Sequence, residues 1–526
     1  MRIKTILTIF ACIASFVAFG QPYTSKIKPI EGEKWWGGGT IFGKSMPYVN
    51  FQEKDIVNSN YSNQVAPFFV SSKGRYVWSD KPFKFSAKDG TITIVSDFEE
   101  IKPIQAGKNL KEAYLAACKK HFAPDGNLPD ELFFSMPQYN TWIEIQRNQN
   151  QKDIEKYADD IIKNGFPIGV FMIDGGWQKY QGNHEFRPEN FTNPKAMFDK
   201  LRNMGFKSII WVSPLVASDS AEFRELKRLN LLLKRKSANK LAVVKWWSGY
   251  SALYDMTNPE ACKYFKNVLD NFIKEYGVDG FKFDAGDAKF VSEDCKFYKP
   301  DMLPVDYTKA WAEFGLSYKF NEYRASYGVA GKPLVQRLQD KLHTWKHLRQ
   351  LVPDMLAAGI LGYAYTCPDM IGGGDYVSFQ PGMPIDEKLI VRSCQVQTLM
   401  PMMQFSVAPW RVLSKEYMEI CRKCAILHKE FGKYILELAK HSAKTGEPIV
   451  RYMEYEFPHQ GFESCIDQFM LGDKYLVAPV MTEADSRDVK LPAGKWKDDL
   501  GNIHQGPTVL KLDVPIERLP YFEKIK

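Results

Sequence analysis

The chain has 526 residues, too many for one small core, which points to two to four domains. Its 70 basic and 62 acidic residues leave a formal charge of +8, spread without a long basic run or a basic helix, so nucleic acid is excluded as the natural partner. Charged and apolar fractions are those of a soluble globular protein; the 14% of aromatics either fill a large core or line a sugar site, and composition alone favours the core.

Residues 1–20 read as a secretory signal peptide. Arg2 and Lys4 form the positive start, and Thr5 to Phe19 is an apolar stretch too short to span a bilayer comfortably. Ala18-Phe19-Gly20 is a small-x-small cleavage pattern. The protein is therefore expected to be exported, periplasmic or secreted. Cys12 follows too short an apolar run to favour a lipoprotein. No later segment has transmembrane character. Export permits disulfides, but eight scattered cysteines are no disulfide framework and their pairing is not legible. Cys421-Arg-Lys-Cys424 is a lone CxxC with no second pair or histidine cluster. It reads as chance spacing or burial rather than a metal site.

Residues 21–125 carry strand-type segments at Ala66 to Trp78 and Phe83 to Ser96, with a hairpin signal at Lys88-Asp89-Gly90. A helix-like segment, Asn109 to His121, leads out. From about Leu128, helical and strand patterns alternate. Ile154 to Ile162 mark a helix stopping at Gly165, before a strand at Ile168 to Ile173 that ends in Asp174. Met197 to Met204 mark a second helix, before a strand at Lys207 to Val212. Ala261 to Ile273 mark a third, ending at Gly277, before Phe281-Lys282-Phe283-Asp284. Trp345 to Leu356 mark a fourth, stopping at Gly359, before a strand at Ile360 to Tyr365 and then Asp369. Four such units argue for a parallel sheet. Over residues 126–440, with no Gly-rich phosphate fingerprint, a (β/α)8 TIM barrel is the better reading than a doubly wound sheet. Residues 441–526 turn β-rich again, with short strands at Ile449 to Glu456, Phe469 to Leu471, Tyr475 to Pro479 and Val489 to Leu491, and in the tail to Phe522; they read as a small antiparallel sandwich.

Asp174, Asp284, Asp340 and Asp369 fall at strand ends or in the loops just beyond, where barrels keep their chemistry. A set of carboxylates on one rim suits glycoside hydrolysis, in which one attacks or stabilises the anomeric carbon and another protonates the departing oxygen.

The motifs carry a specific resemblance. Gly280-Phe-Lys-Phe-Asp-Ala-Gly-Asp287 resembles the nucleophile segment of glycoside hydrolase family 31, and Tyr254-Asp-Met-Thr-Asn-Pro259 the stretch before its preceding helix. Pro368-Asp-Met-Ile-Gly-Gly373 is similar to its D-I-G-G turn. Phe469 to Val480 and Leu491 to Trp496 are similar to its C-terminal β segments. The likeness is collinear and covers nearly all of the chain after residue 20. It implies a (β/α)8 barrel flanked by an N-terminal β-sandwich and a C-terminal β-sandwich.

The resemblance also implies roles. Asp284 would be the nucleophile, Asp340 the general acid/base, and Arg337 a donor to sugar hydroxyls. Asp174 would hold the sugar's far hydroxyls, and Trp247 would form an aromatic wall. Lys282 and Asp369 would fall at pocket positions. Trp211 lines the pocket or the core. Asp287 supports Lys282 or Asp284, or is a plain solvated carboxylate. Asp284 should be ionised with help from Lys282 or Arg337, and Asp340 should have a raised pKa to act as the acid. The substrate would be an oligosaccharide or glycoside, and no metal or organic cofactor is required.

Two departures argue against an ordinary α-glucosidase. Many members of the family have a histidine where Pro401 to Trp410 has none, and Trp where this chain has Lys282. Met403-Gln-Phe-Ser406 and Phe281 to Gly286 resemble the branch containing the animal myogenesis-regulating glycosidase and bacterial α-galactosidases. A retaining, exo-acting α-galactosidase is therefore expected. The alternatives are α-glucoside, α-xyloside or sulfated-sugar substrates, a transglycosylase, and a non-catalytic carbohydrate-binding protein that would have lost Asp284 or Asp340.

Overall fold

The computed structural model describes residues 21–56, 64–238, 240–292 and 294–525. The expected signal peptide and Cys12 lie outside them. The N-terminal unit is two antiparallel sheets of four strands each. One runs in the order Tyr23–Ile27, Thr91–Ser96, Lys84–Lys88, Phe51–Asp55; the other runs Trp35–Gly39, Val65–Ser71, Arg75–Trp78, Ile104–Gln105. The expected hairpin forms at Asp89 and Gly90, whose φ values of 49° and 76° are the left-handed pair that a two-residue turn needs. Phe69 of one sheet meets Phe85 of the other at 4.9 Å. Every residue of Val65–Ser71 is buried. The turn at 40–45 lies so close to the barrel that a Cβ on Gly43 would sit 2.2 Å from Pro353 O.

The barrel has eight parallel strands: Gln138–Asn140 (β1), Val170–Ile173 (β2), Lys207–Val212 (β3), Gly280–Phe283 (β4), Phe320–Tyr323 (β5), Val335–Arg337 (β6), Thr366–Cys367 (β7) and Gln404–Phe405 (β8). Their ladder runs β7-β6-β5-β4-β3-β2-β1-β8 and leaves one seam, between β7 and β8. Across it the Ile371 N–H donates to Gln404 O at 2.9 Å. The strands are short and buried on both faces, as a parallel sheet sheathed in helices must be.

The helices expected from apolar spacing are present. Gln151–Lys163 stops before Gly165, and Pro259–Tyr276 ends on Gly277 in the left-handed conformation. The fourth unit differs. Its helix spans Trp345–Ile360, so Gly359 lies inside it, where a side chain would press on Val450 O. The chain turns only at Gly362, with φ +84°, and the strand forms at Thr366–Cys367, just beyond the expected Ile360 to Tyr365. Four strands (β1, β5, β6 and β8) have no counterpart in the apolar pattern, because each is two to four residues long and carries inward polar side chains.

The expected boundary at 440 falls inside the long helix Lys415–Thr445, which ends on left-handed Gly446. Beyond it the C-terminal strands pair as one six-stranded antiparallel sheet dominated by the hairpin Ser486–Asp498/Ile503–Asp513. The segment expected as a strand at 449–456 splits into Val450–Arg451 and a helical turn, Met453–Glu456.

Candidate active site

Strand β4 alternates: Phe281 and Phe283 pack outward on Tyr318, Trp311 and Tyr323, while Lys282 faces the barrel interior. One residue later the chain leaves the sheet. The Asp284 N–H still bonds Val212 O at 2.9 Å, but Ala285 and Gly286 take φ values of 56° and 77° and turn the backbone sharply. That turn presents Asp284 at the rim. Its Oδ2 accepts the Trp211 indole N–H at 2.7 Å and its Oδ1 accepts the Ala285 N–H at 2.8 Å.

The cation nearest Asp284 is Arg324, whose Nε lies 3.9 Å from Oδ1. Of the expected helpers, Lys282 interacts electrostatically with Asp284 but makes its ion pair with Asp174, and Arg337 pairs with Asp340 and Asp369. Arg324 stands just beyond β5, and its guanidinium lies 5.0 Å from the Trp247 ring centroid. Its Nε also donates to Asp287 Oδ2 at 3.2 Å. Asp287 is thus buried and mounts Arg324; it is not a solvated carboxylate. Burial raises its pKa against the pull of Arg324 and Lys289. Trp247 sits at the tip of a hairpin, Val243–Trp246/Gly249–Leu253, inserted between β3 and β4, and is 40% exposed.

The floor is a chain of buried charges. Lys282 Nζ lies 2.5 Å from Asp174 Oδ2, and Asp174 is braced by the Gly175 N–H at Oδ1 and by its own N–H to Thr141 Oγ1. Burial pushes the Lys282 pKa down, but Asp174, with Asp284 and Glu322, outweighs it and leaves the ammonium above its ordinary value. Glu322 lies beside Lys282 in the β4–β5 register, and burial raises its carboxyl against the pull of Lys282 and Arg337. Gln404 Nε2 donates to Glu322 Oε2 at 2.9 Å and to Gln138 Oε1 at 3.0 Å.

Arg337 closes the chain. Its Nη1 donates to Asp340 Oδ1 at 2.6 Å and to Asp369 Oδ1 at 3.0 Å, and its Nε lies 3.5 Å from Glu322 Oε1. Asp369 is wholly buried; its Oδ2 also takes the backbone N–H groups of Lys341 and Gly374 at 2.5 and 2.8 Å. Burial first and Asp340 second push Asp369 up to about 6. Asp340 behaves opposite to expectation. Burial raises it, but Arg337, Arg324 and Lys282 outweigh burial and hold it below the usual carboxylate range. A residue at 374 must be glycine, because a Cβ there would lie 2.4 Å from Asp369 Oδ1 and 3.0 Å from Asp340 Oδ1.

All eight expected site residues therefore belong to one connected rim and floor. Exposure separates them: the side chains of Asp340 and Asp284 are 32% and 13% exposed, whereas those of Asp174, Asp287, Glu322 and Asp369 are 4% or less. Arg324, Glu322 and Gln404 were missed as site residues. Their strands are too short and too polar for a period-2 signal; the one sequence cue was a charge pair, Glu322 and Arg324, spaced two apart beside aromatic Tyr323. Among the described residues no three His, Cys, Asp or Glu side chains are grouped to hold a metal ion. Cys421 and Cys424 are buried free thiols.

A parallel barrel with two accessible acids above a buried ionic floor defines a carbohydrate-hydrolase type of scaffold. The glycosyl hydrolases family 31 TIM-barrel domain matches residues 134–438, and that family's C-terminal domain matches residues 446–525. The chain belongs to glycoside hydrolase family 31. It is 32% identical over 422 residues to the myogenesis-regulating glycosidase of Mus musculus, covering 78% of this chain and 59% of the mouse protein. It is 25% identical over 526 residues to the alpha-xylosidase XylQ of Lactiplantibacillus pentosus, covering 90% of this chain and 65% of that protein. The fold superposes on the Flavobacterium johnsoniae GH31 dextranase complexed with glucose with a TM-score of 0.83 at 21% identity, covering 96% of this chain and 66% of the dextranase.

Proposed function

We propose that the protein is a retaining, exo-acting α-glycosidase with Asp284 as nucleophile and Asp340 as general acid/base. The observation that carries this reading is the exposure pattern: of six carboxylates around the site, these two reach solvent and the other four are sealed into ion pairs or the core. Asp284 attacks the anomeric carbon while Asp340 gives its proton to the departing oxygen. Asp340 then takes a proton from the water that releases the sugar. Its low pKa in the empty site is the work of Arg337. A sugar hydroxyl that competes for the Arg337 N–H groups weakens that pair and lets Asp340 hold the proton it must donate. Asp174 and Lys282 form the polar end that receives the far hydroxyls, and Trp247 with Arg324 forms one wall.

α-Galactosides are the first substrate class under this reading. Support comes from Lys282, which stands where many family members carry Trp, from the stretch 401–410, which has no histidine where many members carry one, and from the likeness to the myogenesis-regulating glycosidase branch. The xylosidase relative favours α-xylosides as the second reading. The leader-like residues 1–20 support export.

Proton NMR of matched α-galactosides, α-xylosides and α-glucosides is the test. Early α-anomer from an α-galactoside is expected. Early β-anomer would break the two-step mechanism, and release from α-xylosides or α-glucosides alone would move the specificity. Asp284→Ala should abolish turnover with the fold intact. Asp340→Ala should lose at least about a hundredfold on substrates with poor leaving groups and far less on activated aryl glycosides; equal losses would remove its acid role.

A further inference from the structure

We propose that Glu322 is a positioning residue for this reaction: from the centre of the barrel floor it holds Arg337 from behind, so that the guanidinium is shared rather than surrendered to Asp340. The inference rests on the roles given above to Asp284 and Asp340.

A carboxylate in mid-strand is costly to bury, and an apolar side chain would fill the same space without that cost. Glu322 is nevertheless fully buried on β5. Its orientation is built rather than incidental. Gln404 on β8, anchored by Gln138 on β1, donates to Oε2 and leaves Oε1 at ion-pair distance, 3.5 Å, from Arg337 Nε. The other groups with electrostatic influence at Glu322 are Lys282 on β4, Asp174 beyond β2 and the Cys367 thiol on β7.

Arg337 is therefore drawn two ways, its Nε side toward Glu322 and its Nη1 toward Asp340 and Asp369. Without the rear negative charge the guanidinium settles on the acids. Asp340 is then tied more firmly as a carboxylate, and the step that needs its proton slows. Such a defect depends on the leaving group, because an activated aryl aglycone departs without protonation. A merely structural role for Glu322 would slow both substrate types alike.

The experiment compares Glu322→Gln with the wild type on an alkyl and a nitrophenyl α-glycoside of the sugar the enzyme cleaves. We expect kcat/KM to fall about thirtyfold on the alkyl substrate and no more than about threefold on the aryl substrate. Glu322→Asp keeps a carboxylate one methylene short of Arg337. It should recover most of the alkyl activity, with any aryl loss no more than about threefold. Equal losses on both substrates, or no loss, overturn the proposal. Circular dichroism checks the fold. If Glu322→Gln does not fold, Glu322→Asp decides alone: a selective alkyl loss of about fivefold supports the proposal, and equal change on both substrates removes it. A wild type inert toward every α-glycoside removes the function proposed above and this inference with it. An active wild type with an unselective Glu322→Gln removes the inference alone.

Discussion

The indole N–H of Trp211, 2.7 Å from Asp284 Oδ2, makes an otherwise core-type residue part of the mount that holds Asp284. Tryptophan at the end of a buried strand carries no such signal in one dimension; only the neighbouring strand's register brings the two together. A hydrogen bond to an ionised partner contributes about 2 kcal/mol, roughly thirtyfold in rate where it orients a reacting atom. Trp211→Phe keeps the ring and removes the donor. It should lower kcat about thirtyfold while the melting temperature moves by a few degrees at most, and an unchanged kcat would show that the backbone N–H of Ala285 suffices. The rim position of Asp284 was legible because the strand before it is strongly apolar and ends in a small-residue turn. Arg324 was not, because its role comes from contacts with Asp287, Asp284 and Trp247, which all lie well before it in the sequence.

The turn after β4 decides whether Asp284 faces the rim. Ala285 holds a positive φ that a Cβ-bearing residue adopts at some cost, and Gly286 follows in the same region. Gly286 is doubly constrained, because a Cβ there would lie 2.0 Å from Trp311 Cδ1 on the helix Pro304–Phe314. Its carbonyl is also tied down by Thr308 Oγ1 at 2.8 Å. Gly286→Ala should therefore cost at least about 2 kcal/mol in denaturant unfolding and most of the activity, since the loop yields before the helix does. Retained activity with unchanged stability would show that Trp311 repacks. Asp-Ala-Gly marks this turn in the sequence, but the contact that forbids a side chain is tertiary.

Three units become one molecule through side chains that cross their boundaries. Gln64 of the N-terminal unit donates its amide to the carbonyls of Arg324 and Arg337, at 2.8 and 3.3 Å, bracing the strand ends that carry both arginines. Glu447, just past the long helix, binds Lys111 of the first helix at 2.8 Å, His441 at 2.8 Å and Arg451 of the C-terminal sheet at 3.2 Å. Burial alone would raise the Glu447 pKa, yet Lys111, Arg451 and His441 bring it down to about 2. A carboxyl depressed in the folded state stabilises it above the unfolded pKa of about 4.3 and loses that contribution as pH falls through about 2. Glu447→Gln should destabilise the protein by about 2 kcal/mol at pH 7, with the gap to wild type closing between about pH 4 and pH 2. Urea melts across that range measure it; a gap independent of pH would mean that Glu447 acts through packing.

Local patterns in the chain determined four of the barrel's helices, the strands that follow the first three of them and the barrel class itself, because helix periodicity and left-handed glycines are written in consecutive residues. The sense of the Asp340 titration, the mounting of Arg324 by Asp287 and the Glu322–Gln404 brace were decided by tertiary structure alone. Each depends on charges from different strands meeting in a buried space, where distance and desolvation, not residue type, set which proton stays and which side chain reaches the rim.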